Sequence, residues 1–336
     1  MSESEKKQVE TRLVGDDEGE VRLDRWFKRH YPLLSHIQLQ KLLRTGQVRV
    51  DGKRAEASTR LLPGQSVRIP PLPDAPPPDA VRPKARPEVD ERAAKELRAR
   101  VLFRDHDVIV LDKPAGLATQ GGTNQVKHLD AMLDALKFEA EGRPKLVHRL
   151  DKDTSGCLVL ARSAAAAAKL TAAFRSREAR KIYWAVTVGV PKPMKGRIDL
   201  PVAKEAGTRG ERMTVDEDEG VHAITYYTVL EHAHKQAAFV ALWPRTGRTH
   251  QLRVHMAALG TPILGDGKYA GQGAFLEGAG ELPRQLHLHA RRIILPHPRG
   301  GVIDVTAPLP KHMRPAWDYF GFEDKRKDDP FAELEF

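Results

Sequence analysis

The chain has 336 residues and carries 55 Lys and Arg residues against 45 Asp and Glu residues, a formal net charge of +10. Its length predicts two domains, and its positive charge favours a polyanionic partner, either nucleic acid or an acidic membrane. A single cysteine, Cys157, excludes an internal disulfide and a zinc site of several thiolates. The sequence has neither an apolar run long enough to span a bilayer nor an apolar leader, so we expect a cytoplasmic protein with no membrane association.

The first 70 residues predict a disordered start and then a small α+β domain. Residues 1–18 are polar and charged, a composition that is typical of disorder. Ser35 is a candidate N-cap for a helix that runs to Thr45, and Asp51-Gly52 predicts a turn between two short strands. Residues 19–70 are therefore expected to form one domain.

This small domain is strongly basic, because residues 21–70 hold eleven Lys or Arg against three Asp or Glu. Localised positive charge is what an RNA-docking surface needs, although a solubilising face would have the same composition. The candidate RNA-binding residues are Arg25, Lys28, Arg29, Lys41, Arg44 and Lys53.

Eight prolines between residues 70 and 87 mark the clearest boundary in the chain. Proline neither continues a helix nor pairs in a central strand, so residues 71–90 predict an extended linker. Residues 91–322 then alternate strands and helices in an irregular order, which favours an α+β domain over a doubly wound sheet. Residues 323–336 form a charged tail that we expect to fray.

Residues 148–156, His-Arg-Leu-Asp-Lys-Asp-Thr-Ser-Gly, are the densest group of reactive side chains. Asp151 and Asp153 lie among three cations, directly before a predicted buried strand, Cys157 to Ala161. A carboxylate beside Arg or Lys stays ionised, which suits a nucleophile or a general base. From the residues alone, a salt-bridged turn with a structural role is an equal alternative.

Residues 245–255 are a second cationic segment, which leads into a predicted helix from Thr249 to Leu259. Thr249 can cap this helix, whose N-terminus favours anions. Arg248 and Arg253 would then be able to bind phosphates or a carboxylate. A basic surface helix is the structural alternative.

His148-Arg149-Leu150-Asp151 followed by Thr154-Ser155-Gly156 resembles the signature of the RluA-type pseudouridine synthases. Four further segments match that family in its order, namely residues 113–116, 181–186, 247–266 and 288–290. The resemblance spans about residues 101–308 and implies a catalytic domain with a mixed, largely antiparallel sheet. The basic N-terminal segment is similar to the small RNA-binding module that members acting on large-subunit ribosomal RNA often carry.

The resemblance also implies the chemistry: an isomerase that breaks the bond between ribose and uracil nitrogen, rotates the base and rejoins it through carbon. Asp151 is the implied catalytic carboxylate, and Arg253 its partner. Tyr183 would stack on the flipped uracil, and Arg149 would fill the gap left in the RNA. The family uses no cofactor and no metal, and the implied partner is large-subunit ribosomal RNA.

Three rival functions fit parts of the sequence. A non-catalytic RNA-binding ribosome-assembly factor would share the charge and the first domain, but it predicts the loss of Asp151, Tyr183 or Arg253. A glycoside hydrolase needs two carboxylates that flank the bond, whereas Asp151 and Asp153 are only two residues apart. A DNA-acting protein would share the positive charge alone.

Overall fold

The computed structural model describes residues 9–15, 18, 21–72, 90–121, 128–205, 212–326 and 328–334. It divides into two compact units, Met1–Arg86 and Pro87–Phe336. Most of the segment for which a linker is predicted, residues 71–90, lies outside the described residues. In the described part of the chain, no helix has the length and apolar character that crossing a membrane requires.

The N-terminal unit combines two helices with a small antiparallel sheet. Its helices are α1 (Leu23–His30) and α2 (His36–Arg44), and its strands are β1 (Glu10–Leu13), β2 (Arg49–Val50), β3 (Lys53–Arg54) and β4 (Ser66–Ile69), in the order β1-β4-β2-β3. Ser35 caps α2 through a capping box with Gln38, as its position in the sequence predicts. The core beneath the helices includes the buried side chains of Trp26 and Phe27.

The predicted disorder of residues 1–18 is wrong where the structure describes them. Strand β1 pairs antiparallel with β4, and the buried Glu18 carboxylate accepts a hydrogen bond from the Trp26 indole at 3.0 Å. Composition does not reveal β1 because all four of its residues are exposed. Its pairing is a property of the backbone.

The C-terminal unit has one large sheet, a two-stranded ribbon and six α-helices among the described residues. The sheet contains β5 (Val101–Arg104), β6 (Val108–Lys113), β7 (Lys145–Leu146), β8 (Ser155–Ala161), β9 (Arg180–Val188), β10 (Lys195–Asp199), β13 (Ile224–Ala233), β14 (Ala237–Pro244), β15 (Leu288–Pro296) and β16 (Val302–Thr306). The ribbon pairs β11 (Val202–Lys204) with β12 (Met213–Val215). The helices are α3 (Glu91–Arg98), α4 (Leu129–Met132), α5 (Ala164–Ser176), α6 (Gln251–Ala258), α7 (Gly267–Ala270) and α8 (Arg314–Phe320).

The ten-stranded sheet is mixed and largely antiparallel, which confirms the predicted α+β class. Its main path runs β10-β13-β14-β9-β15-β8-β6-β5, with β16 added to β15 and β7 added to β8. Among the described strands, β8 and β15 form the one parallel pair. This parallel pair begins at Ser155 and Gly156, the last two residues of the reactive group 148–156. We call residues 148–154, which precede the pair, the reactive segment.

Gly156 makes the close approach of β8 and β15 possible. Its φ is +107°, and a Cβ added there would lie 2.2 Å from the carbonyl oxygen of Ala290 on β15. No side chain fits in that space. The glycine after the reactive segment therefore fixes where that segment meets the sheet.

The charged tail does not fray where it is described. Phe331 is 3% exposed and packs against Trp243, with the ring centroids 5.6 Å apart. Asp329 forms an ion pair with Arg180 at 2.9 Å. The prediction from charge was wrong because one aromatic side chain anchors a short polar segment.

Candidate active site

A cavity of about 550 Å³ opens in the C-terminal unit. Its walls come from the segment before β8, the end of α5, the start of β9, the end of β14 with the loop that follows, and α6. Four residues singled out from the sequence line it together: Arg149, Asp151, Tyr183 and Arg253. The fold thus brings together residues that are up to about a hundred positions apart in the chain.

Residues 113–119 hold the backbone on each side of Asp151 through hydrogen bonds. On the N-terminal side, the buried hydroxyl of Thr119 lies 2.6 Å from the carbonyl oxygen of Leu150 and donates to it. On the C-terminal side, the carbonyl oxygen of Lys152 accepts from Lys113 Nζ at 3.0 Å and from the Gly116 N–H at 2.9 Å. These contacts restrict the position of Asp151 without occupying the cavity.

Lys113 is a fully buried lysine beneath the reactive segment. Besides the Lys152 carbonyl, its ammonium donates to the carbonyl oxygens of Pro114 at 3.0 Å and Leu117 at 2.8 Å. Burial lowers the pKa of Lys113 to about 7, although nearby carboxylates, Asp153 first and then Asp151, oppose the shift. The sequence places Lys113 in a matching turn, but only the structure connects it to Asp151.

Tyr183 presents a neutral ring beside Asp151. It lies in β9, between Leu242 of β14 and Ala290 of β15, and only 9% of it is exposed. Burial, and after it the charge of Asp151, raises the pKa of Tyr183 above its usual value. A buried but cavity-lining ring of this kind can stack on a planar base.

Arg253 has a different principal partner from the one that the resemblance implies. Its guanidinium forms two hydrogen bonds with the carboxylate of Asp266, at 2.6 and 2.9 Å. The Arg253 and Asp266 side chains are only 7% and 1% exposed. Asp266 raises the pKa of Arg253 against the effect of burial, and Asp151 raises it further. Arg253 therefore attracts Asp151, while Asp266 holds the Arg253 guanidinium in place.

The predicted cap of the α6 helix was wrong by one residue. The N-cap is His250, in the left-handed conformation with φ +53°, and its side chain makes no capping hydrogen bond. Gln251 organises the preceding loop instead: its Oε1 accepts from the Thr246 hydroxyl at 2.7 Å and from the Arg248 N–H at 3.1 Å. This arrangement places Arg248 on the cavity wall.

Seven cationic side chains and one carboxylate, that of Asp151, line the cavity among the described residues. The cations are Arg149, Arg175, Arg177, Lys181, Arg245, Arg248 and Arg253. His148 also lines it, but its burial and the neighbouring Lys181 lower the pKa of His148 to about 3, so this residue is neutral. In a cleft shielded from water, groups of one charge attract the opposite charge strongly. The cationic lining of this cavity therefore suits a polyanion.

Several residues of the site were missed from the sequence. Thr119, Lys113 and Asp266 act through contacts with residues 13 to 39 positions away. Arg175 and Arg177 lie at the end of an Ala-rich helix that carried no motif. Within the described residues, no group of three or more His, Cys, Asp or Glu side chains is placed to hold a metal ion.

The N-terminal candidates all lie on the surface of their unit. Arg25, Lys28 and Arg29 are on α1, Lys41 and Arg44 are on α2, and Lys53 is on β3, and each is exposed. Arg29 lies 3.7 Å from the buried Glu18 carboxylate, which neutralises part of its charge. The other five have no ion pair within the described residues.

The chain belongs to the RNA pseudouridine synthase family, a class of RNA-modifying isomerases, and the cation-lined cavity around a carboxylate suits such an enzyme. Residues 107–258 match the family model described as RNA pseudouridylate synthase. A Rickettsia bellii protein named ribosomal large subunit pseudouridine synthase C is 35% identical over 296 residues, which cover 87% of this chain and 95% of that protein.

Two further relatives support the same assignment. An RNA pseudouridine synthase of Synechocystis, named as uncharacterized, is 33% identical over 301 residues, with 87% of each chain covered. The solved structure of human RNA pseudouridylate synthase domain containing 4 is 31% identical, with a TM-score of 0.58, and the match covers 68% of this chain and 95% of that one. The rival functions of assembly factor, glycoside hydrolase and DNA-acting protein find no support in these relatives.

Proposed function

We propose that this enzyme isomerises uridines in large-subunit ribosomal RNA and that Asp151 is its catalytic carboxylate. The observation that carries the proposal is the cavity in which Asp151 is the one carboxylate of the described lining and faces seven cations. Relatives named as large-subunit enzymes, which align over most of the chain, support the choice of RNA.

The proposed reaction starts when the target uridine leaves the RNA stack and enters the cavity. Flipping a base costs a few kcal/mol, and least where the base is unpaired, so uridines in loops are the preferred substrates. Tyr183 stacks on the uracil inside the cavity. Arg149, which is exposed at the cavity wall, fills the gap that the base leaves.

Asp151 then attacks the ribose or the uracil while the bond between ribose and uracil nitrogen breaks. The base rotates and its fifth carbon bonds to the ribose, the bond to Asp151 breaks and frees the carboxylate, the proton of the fifth carbon is lost to solvent, and the nitrogen takes up a proton. Arg253 keeps the carboxylate ionised and oriented, and Asp266 keeps Arg253 in place. The segment that holds Leu150 and Lys152 limits the movement of Asp151. Such preorganisation lowers the cost of reaching the reacting geometry.

The basic N-terminal domain, residues 19–70, supplies affinity for RNA rather than chemistry in this proposal. A linker, residues 71–90, joins it to the catalytic domain, residues 91–322. The exposed cations of the N-terminal domain are suited to contact RNA phosphates, and such contacts give affinity that does not depend on base sequence. We also propose a cytoplasmic location, where ribosomal RNA is available.

The test uses transcripts of large-subunit ribosomal RNA, small-subunit ribosomal RNA and transfer RNA, each labelled with tritium at the fifth carbon of uracil. Rejoining through that carbon releases the label. We expect release from the large-subunit transcript and not from the other two. Release from transfer RNA alone would overturn the choice of RNA, and no release from any transcript would favour the assembly factor.

A further inference from the structure

Four cations that line the cavity come from elements other than the segment of Asp151 and the α6 helix of Arg253. We call them the second cation cluster: Arg175, Arg177, Lys181 and Arg245. They come from three elements, since Arg175 and Arg177 end α5, Lys181 lies on β9 and Arg245 directly follows β14. The fold therefore gathers like charges from separate elements at one cavity.

Three of the four cations have no carboxylate partner in the part of the chain that the structure describes. Among the described residues, Arg175, Arg177 and Lys181 form no ion pair. Burial, and then the charge of Arg245, lowers the pKa of Lys181 to about 8. Burial is also the main cause that lowers the pKa of Arg245, and Arg177 contributes.

Arg180, which precedes Lys181 in β9, is by contrast paired with a carboxylate. Its guanidinium pairs with Asp329 at 2.9 Å and lies 4.3 Å from the centre of the Trp243 ring. Arg180 is therefore neutralised by the chain itself. Arg175, Arg177 and Lys181 have no such partner within the described ranges. An anionic ligand would relieve the repulsion that Arg245 exerts on Lys181.

Backbone strain at Arg177 is a further observation in favour of a ligand. Its φ is +67°, the left-handed region that disfavours every residue with a Cβ. Glycine is the usual residue at this position after a helix. Among the described non-glycine residues with a positive φ, Arg177 is the one that lines the cavity, which is the kind of position where strain accompanies a binding role.

We propose that the second cation cluster binds a backbone phosphodiester of the RNA adjacent to the flipped uridine. Lys181 and Tyr183 are two residues apart on β9, so their side chains share a face and are separated by about 7 Å. Both line the cavity. A uracil on Tyr183 and a phosphate at Lys181 can then belong to neighbouring parts of one nucleotide chain, joined through ribose. The inference rests on the proposed function, since it assumes that Tyr183 receives the base.

The first variant to test is Arg177→Gly in the full chain. Glycine adopts a φ of +67° without strain, so this variant should unfold at a higher temperature than the wild type. It should nevertheless bind a stem-loop of large-subunit ribosomal RNA more weakly, because a charged hydrogen bond to phosphate is lost. Affinity equal to that of the wild type would overturn the inference.

The second test locates the phosphate. Single linkages on both sides of the target uridine are replaced by uncharged methylphosphonates, and the dissociation constant is measured for the wild type and for Arg177→Gly/Lys181→Gln. At one linkage the wild type should lose about 10- to 100-fold in affinity, and the double variant should lose nothing further. The inference would be contradicted if every methylphosphonate weakened binding equally in the wild type and in the double variant. It would also be contradicted if no methylphosphonate weakened binding by the wild type.

The matched control is Lys195→Gln/Lys235→Gln, which removes two exposed charges of the same unit that do not line the cavity. This control should keep the sensitivity of the wild type to the methylphosphonate. Pseudouridine formation by the wild type is measured on the same unmodified stem-loop. If a methylphosphonate weakens binding but no pseudouridine forms, the proposed function is contradicted and the phosphate site is supported. If pseudouridine forms but no methylphosphonate weakens binding, the phosphate site is contradicted and the proposed function is supported.

Discussion

Arg253 and Asp266 form the best-buried ion pair near the proposed catalytic carboxylate. A buried pair costs desolvation energy on both sides, so its retention is weak evidence for a role in stability. Its place beside Asp151 suits a positioning role. The effect of breaking it can be compared with that of an exposed pair in the same unit, Arg292–Asp304, which has two hydrogen bonds of similar length.

Asp266→Asn removes the carboxylate that forms two charged hydrogen bonds with the buried Arg253 guanidinium. We expect a loss of about 3–5 kcal/mol in the free energy of unfolding, measured by urea denaturation, together with a fall in kcat. Asp304→Asn, where the side chains of Arg292 and Asp304 are 22% and 43% exposed, should cost about 0–1 kcal/mol and leave kcat unchanged. Equal effects of the two variants would contradict the positioning role.

The buried lysine beneath the reactive segment makes stability depend on pH. Because the pKa of Lys113 falls from 10.5 to about 7 on folding, the folded protein binds fewer protons than the unfolded chain between these values. Stability must then rise with pH in this window, as the unfavourable burial of the charge disappears. A lysine stabilised by an ion pair would have a raised pKa, and its contribution to the free energy of unfolding would fall as the pH rises.

We expect the unfolding free energy of the wild type, relative to Lys113→Met, to rise between pH 7 and 10.5. The steepest slope that one group can give is about 1.4 kcal/mol per pH unit. Urea denaturation at several pH values measures it, with Lys235→Met at an exposed turn as the control. A relative stability that is flat or falls with pH would show that Lys113 keeps its charge.

At the scale of elements, the junction of β8 and β15 fixes the position of the reactive segment. Cys157 to Ala161 could be predicted as a strand from its apolar run, and the structure confirms it within β8. Its parallel partner could not be predicted, because the hydrogen-bonded pair Ser155 and His289 is 134 residues apart in sequence. Local patterns predict elements, whereas strand pairing depends on the whole sheet.

Gly156→Ala tests that junction. The added Cβ would lie 2.2 Å from a backbone oxygen at a φ of +107°, so we expect a loss of about 3 kcal/mol or more in unfolding free energy. Gly300→Ala has a similar φ, +99°, but meets nothing within 4 Å, and should cost about 1 kcal/mol. Similar losses in denaturant unfolding would mean that the β8–β15 contact relaxes easily.

At the scale of the whole molecule, the sequence predicted the architecture and the motif residues but not their supports. The mixed sheet, the cap at Ser35 and the grouping of Asp151 with Tyr183 and Arg253 followed from local pattern and resemblance. Thr119, Lys113 and Asp266 required the fold, because each acts on a neighbour through tertiary contact. The fold was also required to find the ordered parts of the N-terminus predicted to be disordered and of the tail predicted to fray, residues 10–13 and 328–334.

The proposed RNA-binding role of the N-terminal unit has a direct electrostatic test. Replacing Arg25, Lys28, Lys41 and Arg44 by Gln should weaken RNA binding and reduce the slope of log affinity against log salt by about 0.7 for each lost contact with a single-strand phosphate. The same number of substitutions at exposed lysines outside the cavity, Lys192, Lys195, Lys235 and Lys311, is the control. An unchanged slope in the N-terminal variant would rule out phosphate contacts by these residues.

The most direct test of the central claim is tritium release from uracil labelled at its fifth carbon in large-subunit ribosomal RNA, with the wild type and Asp151→Asn compared. Asparagine keeps the size of the side chain and removes its charge, so RNA binding to the cationic cavity should not weaken. We expect release from the wild type and none from Asp151→Asn, while both bind the RNA. Release at the wild-type rate from Asp151→Asn would contradict the assignment of Asp151 as the catalytic carboxylate.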